Sequence, residues 1–381
     1  MSATNFANLT SHEKKVWSMD FWNKARNMSF LNKFTGDSED SLIQRITELK
    51  KDEKGARAVI TLVNDLEGDG RAGDRQLAGY EEALTSEEQV IQIDQLRHAN
   101  RNTGRMADQR TIINFREQSR NKLAYWLSDR YDQMGFLTLS GVSYASHTNG
   151  AARVGSDLAL LEFAADVVAP TSNRLFTVDN AVTKGHISLT KLNSDATFTV
   201  ANSGLSWQAL VNLKAMAKEM YVRPIRTKDG VDFYHAFVTP TAMASLKTDS
   251  DFIQMQRDAG KRGAGNELFK GTDTVYVDGI AISEYRHVYN TKGLASGSRW
   301  KNDGTVHGCR VLFCGAQAMG FADIGTPTWV EEDRDFENVN AISTGKICGF
   351  LKPQFEGKLT GGMGSGVVED FGVICLDVAT N

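Results

Sequence analysis

The stretch from Gly104 to Gly135 places thirty residues between two glycines with neither Gly nor Pro among them. Such a run can form one uninterrupted helix, about 45 Å long at ~1.5 Å per residue. Ile112, Phe115, Leu123, Trp126, Leu127 and Met134 recur at helical steps and make one apolar stripe, with Arg110, Glu117, Asn121 and Asp129 off it. This predicts a spine helix over 104–135, well beyond the usual globular length, on which other layers rest. The pattern alone equally accommodates a long helix in an ordinary α+β enzyme.

A chain of 381 residues can bury a large core and supports two domains. The 34 glycines imply many turns and much β-structure, while five prolines exclude long Pro-rich linkers. A net charge of −4 gives no bulk electrostatic reason to bind nucleic acid. No window approaches the ~18 apolar residues of a membrane span, and Met1–Thr10 lacks a signal pattern. The expectation is folding in a cytoplasm. Cys309, Cys314, Cys348 and Cys375 are too few and too clustered for a disulfide framework and read as buried thiols.

Residues 1–40 read as an extended arm with one short helix. Its Val16, Phe21, Trp22, Phe30, Leu31 and Phe34 must be buried somewhere, in the chain's own domain or in a neighbouring subunit. Strands are predicted over 42–49, 56–64 and 87–98. About twenty polar residues between the second and third make a long hairpin that reaches away from the body. After the spine, Ser156-Asp157 can cap a buried helix through Val168, ended by Pro170. Strand-like pieces follow at 175–178 and 197–200. Ser206 can cap a helix from Trp207 to about Val222, then come a strand at 233–239 and a helix from Pro240 towards Ala259. A glycine-rich loop spans 260–273, and strands at 274–277 and 280–285 flank the turn Asp278-Gly279. Further strands are predicted at 309–314, 321–322 and 328–331. Two more, 345–355 and 366–378, are joined by the glycine-rich 357–366.

Catalytic and metal signals fail one by one. His12-Glu13 opens like a zinc-protease helix, but Val16 stands where the second His is needed. Cys309 and Cys314 are an odd number apart on a strand and so face opposite ways. Asp65 to Gly70 resembles the start of a calcium loop whose twelfth position is Gln76, without the bidentate Glu. Gly362-Met-Gly-Ser-Gly precedes a strand, so it gives no phosphate-binding helix N-terminus. No nucleophile elbow or Walker motif is present. No catalytic residue, cofactor site or metal site is assigned, and a binding or structural role is expected.

Ordered short segments carry a resemblance. They are Ile93-Asp-Gln-Leu-Arg-His-Ala-Asn-Arg running into Gly104-Arg-Met-Ala-Asp-Gln-Arg; Val238-Thr-Pro-Thr-Ala-Met-Ala-Ser-Leu-Lys; Asn266-Glu-Leu-Phe-Lys-Gly with Val277-Asp-Gly-Ile-Ala-Ile-Ser-Glu; and Leu312-Phe-Cys-Gly-Ala-Gln-Ala with Trp329-Val-Glu-Glu and Phe371-Gly-Val-Ile-Cys-Leu-Asp. The chain resembles the major capsid proteins of N-four-like tailed phages, a branch of the Hong Kong 97-type (HK97-like) coat-protein fold. The likeness covers most of 40–381 and is weakest over 136–204, where an insertion is expected.

The resemblance implies an α+β fold of N-terminal arm, long E-loop hairpin, P-domain with its spine helix, and A-domain. On this chain the arm would be 1–40, the P-domain strand and hairpin 41–103, and the P-domain with its spine 104–204. The A-domain would be 205–340, and return strands of both domains 341–381. It further implies self-assembly as pentamers and hexamers into a head enclosing double-stranded DNA without sequence-specific binding. The implied partners are portal, scaffolding and decoration proteins, with no membrane. The implied location is the virion shell, assembled in the host bacterial cytoplasm. A cellular nanocompartment shell of the same fold, or an enzyme with an unrecognised site, stay open as alternatives.

In this fold the hairpin lies across a neighbour's spine region. Residues 65–94 hold nine carboxylates against two arginines, net −7, and 97–130 hold eight basic against three acidic residues, net +5. Glu81 and Glu82 on the hairpin, Arg116 and Arg120 on the spine, and Trp17 and Trp22 on the arm are therefore the candidate inter-subunit contacts. No lysine occurs between Lys54 and Lys122, so the hairpin has no amine for a covalent cross-link.

Overall fold

The described strands form two main sheets and two separate strand pairs. The computed structural model describes residues 19, 21–26, 28–47, 57–63, 69–82, 86–106, 110, 115–189, 196–226, 230–259, 274–336, 338–356 and 368–380. The strands before the spine are β1 (Thr35–Gly36), β2 (Ile43–Ile46), β3 (Arg57–Val63), β4 (Ser86–Gln92) and β5 (Asp94–Arg101). After it come β6 (Leu175–Val178), β7 (Ile187–Leu189), β8 (Ile225–Arg226), β9 (Asp232–Val238), β10 (Thr274–Val277) and β11 (Ile280–Glu284). The remainder are β12 (Gly308–Cys314), β13 (Met319–Arg334), β14 (Val339–Leu351), β15 (Gln354–Glu356), β16 (Val368–Asp370) and β17 (Val373–Ala379). One sheet has the order β1-β2-β13-β14-β5, the other β10-β11-β9-β12-β17-β6-β7 with β8 beside β9. The strand predicted over 87–98 is thus two. β4 pairs with β3, and after Ile93 the chain joins β14 as β5.

The spine is α1, Phe115–Ser140. It begins later than predicted and runs through Gly135 to stop at Gly141. Gly135 has no side chain because Leu31 packs onto the helix backbone there, where a Cβ would collide with it. Gly141, at φ +65°, is the true stop. Val142 N–H donates to Leu137 O (3.0 Å) and Gly141 N–H to Thr138 O (3.1 Å), the two bonds of a left-handed glycine cap. The one-sided stripe holds only for the first half, because every residue from Tyr131 to Ser140 is buried. The helix lies between the sheets: Tyr131 meets Phe321 and Phe350 of the five-stranded sheet, and Phe136 meets Phe237 of the other. The opposite face of the larger sheet is covered by α2 (Trp207–Glu219), α3 (Pro240–Thr248) and α4 (Ser250–Ala259). Cys309 faces that layer and Cys314 the spine, as the odd spacing requires.

Several local expectations need correction. No helix spans 156–168; two 3-10 turns, Asp157–Leu160 and Glu162–Ala164, are separated by Leu161 in an extended conformation (ψ 138°). Leu158, Leu161 and Phe163 are buried while Leu160 and Val168 are exposed, so the burial spacing is not helical. Residues 197–200 form no strand; Thr199 caps the helical turn Val200–Ser203. The helix over 240–259 is two, because Asp249 turns extended and its carboxylate accepts from Trp207 N–H at the start of α2 (2.8 Å). The pieces at 321–322 and 328–331 are one strand, β13, interrupted by a bulge between Ile324 and Thr328. The strand over 366–378 is likewise two, β16 and β17. Sheet membership also cuts across the expected boundaries. β6, in 104–204, belongs to the eight-stranded sheet, and β13, in 205–340, to the five-stranded one. The loops at 260–273 and 357–366 and His12–Val16 lie outside the described residues.

Candidate assembly surfaces

The hairpin of β3 and β4 is anchored at its root and bare beyond it. Ala58, Ile60 and Ile91 point inward and pack with Ile46, Ile93, Ala322 and Leu351. On the opposite face the cross-strand partners Val59 and Val90 are 37% and 43% exposed. Two side chains of β4 hold the strand pair to β15 along its length: Gln89 Oε1 accepts from Gln354 N–H (3.0 Å) and Glu87 from Glu356 N–H (3.3 Å). Past the strands, every residue from 69 to 82 is exposed, including Leu77 and Tyr80. The Arg71 guanidinium lies 3.2 Å from the Tyr80 ring centroid, a contact within the loop itself. An all-exposed segment bearing large apolar groups gains little in isolation and much when a surface is laid against it.

Glu81 sits in this segment. Its carboxylate accepts from Gly79 N–H at 2.7 Å, and the amides of Glu81 itself and Gly79 hold its pKa below the ordinary value. Glu82 is exposed beside it. On the spine, Arg116 makes a two-pronged pair with Glu331 of β13, Nε at 3.0 Å and Nη2 at 2.8 Å, while Trp329 Nε1 donates to the same carboxylate. Arg116 is therefore committed within its own chain. Arg120, one turn on, is half-buried. The basic side chains of this region that face solvent are Arg97, Arg101, Arg105, Arg110 and Lys122.

The described arm packs on its own subunit. Phe21 is buried beside Trp329 and Trp22 beside Tyr131, each at 5.8 Å between centroids. The Lys346 ammonium lies 4.4 Å from the Trp22 ring centroid. Trp22 is thus a core residue here and not a free contact, a correction to the sequence reading; Trp17 lies outside the described residues. Lys346 itself is buried. It faces Asp323 and the carbonyls of Ile324 and Gly325, filling the gap that the β13 bulge opens, and burial pulls its pKa down.

One residue that no periodicity flags joins three parts of the chain. Asp132 on α1 is buried, and its carboxylate accepts from Ser29 Oγ (2.7 Å), Phe30 N–H (3.0 Å), Leu31 N–H (3.2 Å) and the Tyr285 hydroxyl (2.5 Å). It fastens the arm to the spine and to the loop after β11. Four donors converging on one carboxylate fix the arm's direction. The Phe30 ring stacks on Tyr285, 4.0 Å between centroids at 7°. Among the described residues no group of His, Cys, Asp and Glu could hold a metal ion, and no helix is long and apolar enough to cross a membrane.

Comparison with known proteins gives these surfaces a context. A family model described as phage capsid protein matches residues 5–381. The chain is 54% identical over 376 residues to the protein named major capsid protein of Pseudomonas phage KPP25, covering 99% of this chain and 97% of that one. Among solved structures, it superposes on the capsid of Ralstonia phage GP4 with a TM-score of 0.72 at 25% identity, covering 93% of this chain and 91% of that one. It superposes on the capsid asymmetric unit of cyanophage Pam1 with a TM-score of 0.68 at 17% identity, covering 100% and 96%.

Proposed function

The chain belongs to the phage capsid protein family and is a coat subunit of the Hong Kong 97-type fold, and we propose that it builds the icosahedral head as pentamers and hexamers. The observation that carries the finer reading is the hairpin: a rooted two-stranded arm whose residues 69–82 are all exposed. Such an arm has its use on a neighbouring copy. The acidic hairpin of one copy, with Glu81 and Glu82, lies on the basic stretch of the next. Because Arg116 is held by Glu331, the facing charges are chiefly Arg97, Arg101, Arg105, Arg110 and Lys122, with Arg120 at their edge. Trp17 stays an arm contact in this reading. The role is structural, without catalysis or cofactor. The net charge of −4 suits a wall that encloses double-stranded DNA without gripping its sequence. Portal, scaffolding and decoration proteins are the further partners, and assembly takes place in the host bacterial cytoplasm.

The test is direct. Purified protein at rising concentration should form capsomers or closed shells, seen by light scattering and electron microscopy. A stable monomer of 42.0 kDa under every salt and crowding condition would overturn the proposal.

A further inference from the structure

Three stretches of chain bring cationic side chains together beside the spine. Asp129, Arg130 and Gln133 lie on one turn of α1. His147 and Arg153 come from a loop closed by the backbone bridge between Ser146 and Ala152, and Arg286 and His287 from the loop after β11. Gln133 holds the centre. Its Oε1 accepts from Arg130 Nη1 (2.8 Å) and from Arg153 Nη2 (2.7 Å), and its Nε2 donates to Asp129 Oδ2 (2.8 Å). Arg153 Nε donates to Ser146 O (3.0 Å). One neutral oxygen thus holds two guanidiniums side by side.

The charges there do not balance. Among the described residues, Asp129 is the one carboxylate in ion-pair range of Arg130 or Arg286, and Arg153 has none. Asp129 is already engaged, by Arg286 Nη2 (3.1 Å), His287 Nε2 (2.8 Å) and Gln133. Three guanidiniums against one carboxylate leave a charge of +2 with both histidines neutral. Like charges held close repel, and more so where water is partly excluded. Arg130 and Arg153 are both half-buried. His147 registers the same field: burial, then the charges of Arg153 and Arg130, push its pKa below the ordinary 6.5. The remaining N–H groups of Arg130 and Arg153 meet no acceptor among the described residues. An anion seated between them would remove the repulsion and supply the acceptors.

We propose that Arg130 and Arg153, with Arg286 and His147 at their edge, bind a phosphate oxyanion, either free or carried on a nucleic-acid backbone. Guanidinium forks meet the oxygens of such a group in pairs. A phosphate contact reads no bases, so it needs neither a basic chain nor sequence preference. The inference stands on the single subunit and goes beyond the shell-building reading.

Two probes separate the two sources. The unassembled subunit is titrated with inorganic phosphate by calorimetry, and with a labelled short double-stranded DNA by fluorescence anisotropy, at equal ionic strength. Whichever probe binds should bind at least about tenfold more weakly to Arg153→Gln and to Arg130→Gln. Arg153→Lys, which keeps the charge, should retain more of the affinity, and Arg286→Gln should lose less. Arg130→Gln leaves the contact of Arg153 with Ser146 in place and decides the matter should Arg153→Gln fail to fold. Binding of phosphate without DNA assigns the site to the free ion, and binding of DNA assigns it to the backbone. No binding of either probe, or equal binding by Arg130→Gln and Arg153→Gln, overturns the proposal. Poor assembly of these variants without any phosphate binding also overturns it, and gives the arginines to a carboxylate of another copy. Neither titration needs assembled protein, so failure here leaves the shell reading standing.

Discussion

His235 on β9 is a titratable ring at the heart of the fold. Its Nε2 lies 3.0 Å from Ser283 Oγ, and the rings of Phe34 and Phe237 stand 4.5 and 4.4 Å away. Burial lowers its pKa from the ordinary 6.5 to about 3. Between those values the unfolded chain binds the proton and the native one does not, so stability falls as pH drops below about 6.5. From pH 7 to pH 5 this one ring should cost roughly 2 kcal/mol. Urea titrations of the unassembled subunit at the two pH values should show a pH difference smaller by about that amount in His235→Gln, whose amide can still reach Ser283. At this scale the sequence is least legible. Asp132, Lys346 and His235 owe their roles to chain segments far away in the sequence, and no local spacing announces a four-donor carboxylate or an ammonium that fills a bulge. The acidic character of the hairpin is legible because it needs only counting.

Elements are legible where one local signal dominates. Ser206 before an apolar run caps α2, accepting from Ala209 N–H, and Asp278-Gly279, both at positive φ, turns β10 into β11. The spine is legible in kind but not in extent. Gly135 reads as a stop and is instead a seat for Leu31, which only the folded arm reveals. The stop at Gly141 should therefore matter. Gly141→Ala must hold φ +65° with a Cβ pressed on Val168 O and Pro170 Cδ. It should destabilise the subunit by more than about 1 kcal/mol, read from the urea midpoint at unchanged slope. The absent helix at 156–168 fails for the opposite reason: a capping Ser and an apolar run are present, but Leu158, Leu161 and Phe163 all enter one core while Leu160 and Val168 between and after them stay exposed, which two short turns permit.

The whole molecule is legible as an ordered set of parts, arm, hairpin, spine and lobes, yet not as a division of the chain. The sheets exchange strands along the sequence: β6 and β17 lie side by side, and so do β2 and β13. Domain limits drawn on the linear chain must cross them. Charge separation survives at this scale. The hairpin's exposed acidic face and the exposed basic side chains near β5 and α1 are each too dispersed to stabilise a monomer. Single exposed pairs contribute only ~0.2–1 kcal/mol and weaken with salt. Repeated at every subunit, they can set register. Glu81→Lys with Glu82→Lys should slow assembly at low salt, measured by light scattering. Arg97→Glu with Lys122→Glu in the same chain should recover part of the loss. Unchanged assembly of the first variant at low salt would end the charge-docking reading.

The position of β17 sets a timetable. It sits between β12 and β6 inside the larger sheet, with every residue buried, and all the other strands of that sheet precede it in the chain. A ribosome therefore releases the neighbours first and the strand that joins them afterwards. Until then β12 and β6 have no partner between them, and the lobe stays open. A nascent or prematurely terminated chain is barred from the finished subunit's shape, and so from a place in the wall. A structure made of many equal bricks is protected in this way from incorporating a broken one.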